Sequence, residues 1–241
     1  MRRPLFYRER LWAADAALTA LLILLAAYVF ILHPLVPAGS LRFFASVLFS
    51  LVLVSGAITI SRNRVFRAFV FVWAVLTLLV LWAAYLVPHA ALIVAELCLT
   101  LAFLVLLLIL ILGQVFRAGR TTAHRIMGAV TAYLLIGLTW SLIYYAIALR
   151  IPEAFQGLEA VVEGDDEVHR LHFQYFSLTV LTTLGFGDIV PIHPVARMAA
   201  VLEAMVGQLF PAILIARLVS LQLQAKGSEK RSGPEDKADL A

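Results

Sequence analysis

Residues 182–191 read Thr-Thr-Leu-Gly-Phe-Gly-Asp-Ile-Val-Pro, and they lie between two strongly apolar runs near the end of the chain. Two glycines, an aspartate and a proline are poor material for a membrane helix, so the surroundings decide what the stretch is for. The chain is 63% hydrophobic and 14% charged over 241 residues. Soluble domains are about a quarter charged and about half apolar, so the composition is that of an integral membrane protein. About 20 apolar residues of helix cross a bilayer, and runs of this kind occur at 11–32, 43–60, 68–87, 90–114, 127–148 and 195–220. The expected fold is an all-α membrane protein with six transmembrane helices, the first retained because its apolar run exceeds that of a secretory signal.

The connection before the last helix is long. It opens with the polar stretch IPEAFQGLEAVVEGDDEVHR and turns apolar again as LHFQYFSLTVLTT. About a dozen apolar residues are too few to cross, so the piece must enter the membrane and return. Hydrocarbon does not tolerate unpaired backbone unless that backbone is buried in protein or lines water. The expectation is a re-entrant pore helix ending near Thr183 and then an extended arm, TTLGFGDIVP, that lines an aqueous path. The C-terminal end of the short helix directs roughly half a negative charge inward, which favours a cation.

Moving a monovalent ion from water into a low-dielectric interior costs on the order of 20 kcal/mol, so oxygen atoms must replace its hydration shell. Backbone carbonyls do this without adding charge. Glycine at alternate positions, here Gly185 and Gly187, accepts φ values that let successive carbonyls turn toward one axis. Thr183 can add its hydroxyl at the inner end, while Leu184 and Phe186 are expected to pack outward.

These residues resemble the signature of the tetrameric potassium channels of prokaryotic type, whose filter reads TVGYG. TTLGFGD, the preceding YFSLTVLT, Pro191, Arg197 at the head of the next helix and Gly207 all fit, and the resemblance covers residues 126–220. It implies a homotetramer that conducts K+ passively, with Thr183, Leu184, Gly185, Phe186 and Gly187 as the selectivity filter, K+ held at Thr183 to Phe186, and Asp188 at the outer mouth. Tyr175, Phe176, Thr179 and Thr182 would support the filter from the pore helix. Phe186 stands where the family has tyrosine, Tyr175 and Phe176 where it often has tryptophan, and Thr179 where some members carry a glutamate. The cuff around the filter is therefore expected to be less hydrogen-bonded. Gly207 matches the family's gating glycine, and Pro211 removes the N–H that would bond the Gly207 carbonyl, so a gating hinge is expected there.

Basic residues alternate by loop. Arg2, Arg3, Arg8 and Arg10 precede the first helix, Arg62, Arg64 and Arg67 follow the second, Arg117, Arg120 and Arg125 follow the fourth, and Lys226, Lys230, Arg231 and Lys237 follow the sixth. The opposite loops carry Arg42, Arg150 and Arg170. This pattern places both termini in the cytoplasm of a cell-membrane protein and accounts for the net charge of +4 without nucleic acid. Residues 1–114 form a four-helix region of unknown role, 115–125 a cytoplasmic linker, 126–222 the pore domain and 223–241 a short polar tail expected to be disordered.

Three acids fall inside apolar helices: Asp15, Glu96 and Glu203. Glu203 is four residues before Gly207 and is expected to face Ser177 or Thr179, whereas no partner for Glu96 is legible. The fourth run lacks the spaced arginines of a voltage sensor, and the tail offers no ligand-binding domain. The turret acids Glu153, Glu159, Glu163, Asp165, Asp166 and Glu167 would concentrate cations, and His169 and His172 would lend a modest pH response. Cys98 is the single cysteine, which excludes an intramolecular disulfide or a cysteine metal cluster. No cofactor is implied, and no convergent nucleophile and base suggest an enzyme. The rival readings are a nonselective cation channel, a potassium transporter subunit, and a membrane adaptor or receptor with a relic pore.

Overall fold

The computed structural model describes residues 18–31, 41–59, 64–87, 89–116, 123–158 and 166–231. Seven long helices order the described chain, with a three-residue 3-10 turn at Pro152–Ala154: α1 (Leu18–Ile31), α2 (Leu41–Thr59), α3 (Arg64–Leu86), α4 (Ala90–Val115), α5 (Ala123–Arg150), α6 (Asp166–Leu181) and α7 (Pro194–Arg231). The last five residues of α1, Ala27–Ile31, wind as a π-helix. The fold is that of an all-α, multi-pass membrane protein. Stretches within α3, α4, α5 and α7 are long and apolar enough to cross a bilayer, while the apolar pieces of α1 and α2, Leu18–Ile31 and Ser46–Gly56, are shorter. Arg2, Arg3, Arg8, Arg10, Asp15, Arg62, Arg117, Arg120, Lys237 and the turret acids Glu159, Glu163 and Asp165 lie outside the described residues.

Local chemistry sets the helix ends. The Val87 N–H closes α3 on the Ala83 carbonyl, and His89 starts α4 by accepting the Ala91 N–H at Nδ1, 3.3 Å away. Histidine here takes the role that short polar side chains usually fill at an N-cap. The helix before the return arm starts earlier than its apolar run, at Asp166 rather than Leu171, because acidic residue types in a first turn suit the positive end of the dipole. Similarly, α7 continues to Arg231 over residues that the composition assigns to the tail. Leu, Gln, Ala, Lys and Glu there are all good helix formers, and their polarity reads as disorder only when helix propensity is ignored.

The helices pack in sequence, α2 on α3, α3 on α4, α4 on α5, and then α5 and α7 on α6. Helix α5 is the hub: 67% of its apolar window is buried, against 17% for α7. One chain thus leaves its last helix largely uncovered. Beneath α6 lies an aromatic cluster in which Phe155 meets Phe173 at 4.9 Å and Tyr144 meets Phe176 at 4.9 Å, both edge to face, the arrangement that ring quadrupoles favour. Phe155 arrives on a two-residue strand, β1 (Phe155–Gln156), that pairs antiparallel with β2 (Val190–Pro191), Phe155 opposite Pro191 and Gln156 opposite Val190. This ladder ties the start of the turret to the exit of the return arm.

Phe173 is fully buried and Phe71 is exposed on the apolar outer surface. Phe173→Ala is expected to cost about 3–5 kcal/mol, and Phe71→Ala to change stability within about 0.5 kcal/mol. Thermal unfolding of the two variants in detergent compares them directly.

Candidate functional site

The return arm begins where α6 runs out. Thr182 and Thr183 N–H groups still reach back to the Leu178 and Val180 carbonyls, and then both Leu184 and Gly185 donate to the Thr179 carbonyl, at 2.8 and 3.2 Å. One carbonyl of the helix end therefore collects the first two amides of the arm, the kind of terminal group that must find a partner. Beyond it the backbone alternates. Thr183, Gly185 and Gly187 have φ of +60°, +55° and +81°. When every second residue takes the left-handed region and the residues between do not, the usual in-and-out reversal of carbonyls along an extended chain is undone. The alternation foreseen at the glycines thus extends one step inward, to a threonine. A β-branched residue in this region is strained, and sequence alone did not mark Thr183 for it.

Every residue from Thr182 to Asp188 is exposed, and a Cβ added at Gly185 or Gly187 would meet nothing within 4 Å. The arm therefore borders open space on the single chain. Leu184 and Phe186, expected to pack outward, are 62% and 67% exposed on the single chain. Phe186 does find one neighbour, the Tyr175 ring, parallel to it at 6.5 Å between centroids.

The outer end is more tightly held than the residue types suggested. Tyr175 hydrogen-bonds the Asp188 carboxylate, so the expectation of a less bonded cuff fails at this position: tyrosine replaces tryptophan but keeps a donor. This bond, first, and then the Ile189 N–H and the nearby His172 hold the Asp188 carboxyl below the usual carboxylate range, against the opposing effect of burial. The Ile189 N–H lies 3.0 Å from Asp188 Oδ1. Gly157, at φ +93°, passes so close to the Asp188 carbonyl that any side chain would collide with it. Arg197 Nε donates to the Pro191 carbonyl at 3.1 Å, and the Ile192 and His193 amides converge on the Ala154 carbonyl.

The remaining expected site residues divide. Thr179 serves through its carbonyl, its hydroxyl being returned to the Phe176 carbonyl at 2.8 Å. The Thr182 hydroxyl likewise turns back, to Leu178, at 2.6 Å. Phe176 faces the aromatic cluster rather than the arm. Glu203 is fully buried and joins three helices: the Tyr144 hydroxyl of α5 donates to Oε2 at 2.5 Å, and the Ser177 hydroxyl of α6 lies 2.5 Å from Oε1 and 2.7 Å from the Gly137 carbonyl. Gly207 presses on the Leu181 carbonyl so closely that a Cβ would overlap it, and Tyr133 donates to that same carbonyl at 3.1 Å. Helix α7 runs unbroken through Gly207 and Pro211.

Asp188 gives a test of the cuff. Its carboxyl is expected to titrate below the ordinary range, and Tyr175→Phe to move that titration upward. Because the folded pKa is depressed, the stabilisation is present at neutral pH and is lost as pH falls through the folded value; the variant loses it at higher pH. Carboxyl-carbon NMR of Asp188 across an acid titration measures both.

Residues 132–223 match a family model described as ion channel. The matched stretch starts in α5 and takes in α6, the return arm and most of α7. No curated protein matches the chain. The second half of the molecule is thus similar to ion-channel domains, which points away from catalysis and toward passage of ions.

Proposed function

We propose that this chain is one subunit of a homotetrameric channel that conducts K+ passively across the cell membrane. The observation that carries the reading is the alternation of left-handed φ at Thr183, Gly185 and Gly187 along an arm bordered by open space. Carbonyls of Thr183, Leu184, Gly185, Phe186 and Gly187 aimed to one side can replace water around an ion that has lost its hydration shell. Asp188 stands at the outer mouth, and the end of α6 adds the negative pole of its dipole.

One arm supplies only one wall of such a cage. The exposed Leu184 and Phe186 and the uncovered faces of α7, including Val201, Leu202, Met205 and Leu209, support closure by further copies of the chain. Four copies around one axis give each ion site a ring of carbonyls. Both termini lie on the cytoplasmic side in this reading, by the distribution of basic residues. Helix α4 carries Glu96 and no arginine or lysine between Ala90 and Val115, so it has no basic charge to move in a field and open probability should depend weakly on voltage. Gly207 with Pro211 is the proposed hinge of α7, since proline leaves the Gly207 carbonyl without its helical partner.

Purified protein in liposomes under a K+ gradient is expected to pass K+ far faster than Na+, and native mass spectrometry to give four subunits. Gly185→Ala is expected to abolish flux with the protein still in the membrane, because an L side chain is strained at φ +55° although space for it exists. Equal passage of Na+ and K+ would establish a nonselective cation channel, and unchanged flux in the glycine variant would remove the arm from the ion path.

A further inference from the structure

Helix α6 carries three polar side chains on one face, Arg170, Gln174 and Ser177, spaced as neighbours along a helix. Each leaves α6 for a different partner. Ser177 reaches α5 and Glu203, as described above. Gln174 Nε2 donates to the Val29 carbonyl at 3.3 Å, inside the π-helical end of α1, where the wider winding displaces carbonyls from their ordinary partners. Arg170 reaches α4. Its Nη1 donates to Glu96 Oε1 at 3.0 Å and its Nη2 pairs with Oε2, a two-pronged contact. Thr100 donates to the same Oε1 at 3.2 Å, and the Arg170 guanidinium lies 4.8 Å above the Tyr145 ring of α5.

This pair is costly to place. Glu96 stands in the seventh position of a spanning helix with its side chain 3% exposed, and Arg170 is 18% exposed. A carboxylate in that position without a counter-charge would be strongly unfavourable. Arg170 is also close to the positive end of the α6 dipole, which disfavours a cation there. Thr100 gives Glu96 one neutral donor on its own helix, and Arg170 supplies the counter-charge. The planar fork fixes direction as well as distance, so the contact sets where the outer end of α6 stands relative to α4.

We infer that Arg170, held by Glu96, is a positioning residue for the filter, through which α4 of the N-terminal region braces the pore helix. The inference rests on the channel reading for its functional consequence, but its structural half stands apart from conduction. The opposite face of α6 presents Tyr175, which touches both Phe186 and Asp188. A shift or roll of α6 on its polar face therefore moves the filter from behind. The N-terminal region would then act at the filter, not at the cytoplasmic end of α7.

The test uses Glu96→Gln, Arg170→Gln and Arg170→Lys in the full chain, with Leu107→Ala as a control. Leu107 is fully buried on α4 but packs at Gly56 of α2, away from α6. Hydrogen exchange at the amides of residues 183–189, read by mass spectrometry, is expected to quicken several-fold in both Gln variants. Arg170→Lys, which keeps the charge but loses the fork, should fall between them and the parent, and Leu107→Ala should leave these amides as in the parent. In liposomes the K+ to Na+ permeability ratio should fall in the same order. If the two Gln variants exchange and select as the parent does, or if Leu107→Ala disturbs the arm as much as they do, the brace is refuted. If the two Gln variants fail to fold, Arg170→Lys carries the same decision. A parent that passes no K+ would refute the channel reading while the exchange result still decides the brace.

Discussion

Hydrocarbon supplies no hydrogen-bond partners, and this chain nevertheless carries an irregular arm from Thr182 to Pro191 between apolar segments. Much of the architecture around that arm answers this constraint. The Thr179 carbonyl gathers the first two amides, Asp188 is bonded by Tyr175 and by the next amide, and the Ala154 carbonyl takes the two amides that lead into α7. The short β1–β2 ladder closes the outer end. What remains unanswered within one chain faces open space, and in the proposed channel that is where ions would meet the arm.

The same logic governs polar side chains at depth. Glu203 and Glu96 are both buried acids, and both are met by donors from other helices, with Thr100 of its own helix adding a third bond to Glu96. Glu203 gathers α5, α6 and α7, and Glu96 gathers α4 and α6. Because a pair removed from water is costly to break once formed, such contacts fix relative placement more than they add stability. Helix α6 is the common member of both sets, which makes it the most constrained element of the fold.

Much of this could be read from residues in order. The helical class followed from composition and run length, the re-entrant piece from an apolar run too short to cross, and the special backbone at Gly185 and Gly187 from glycine's freedom. Glu203 was expected to face Ser177 or Thr179, and Ser177 is the one that bonds it. What escaped is what depends on distant partners. Thr183 gives no sign in its side chain of a positive φ, since the neighbouring alternation imposes it. Glu96 and Arg170 are 74 positions apart, and the one clue was a lone acid in an apolar helix, since Arg170 stands among the charged and polar residues that open α6. Nothing in the residues beside Gly157 marks it out, because its reason is the distant Asp188 carbonyl.

The uncovered face of α7 has a genetic side. If four chains must meet to finish one lining, a copy that folds and assembles but carries a defective arm spoils its three partners as well. In a cell making sound and defective chains in equal amounts, random mixing leaves about one assembly in sixteen wholly sound, given a closed ring of four. Lesions in the return arm would therefore behave as dominant, whereas lesions that prevent α7 from being displayed at all would remove the chain from the pool and behave as recessive.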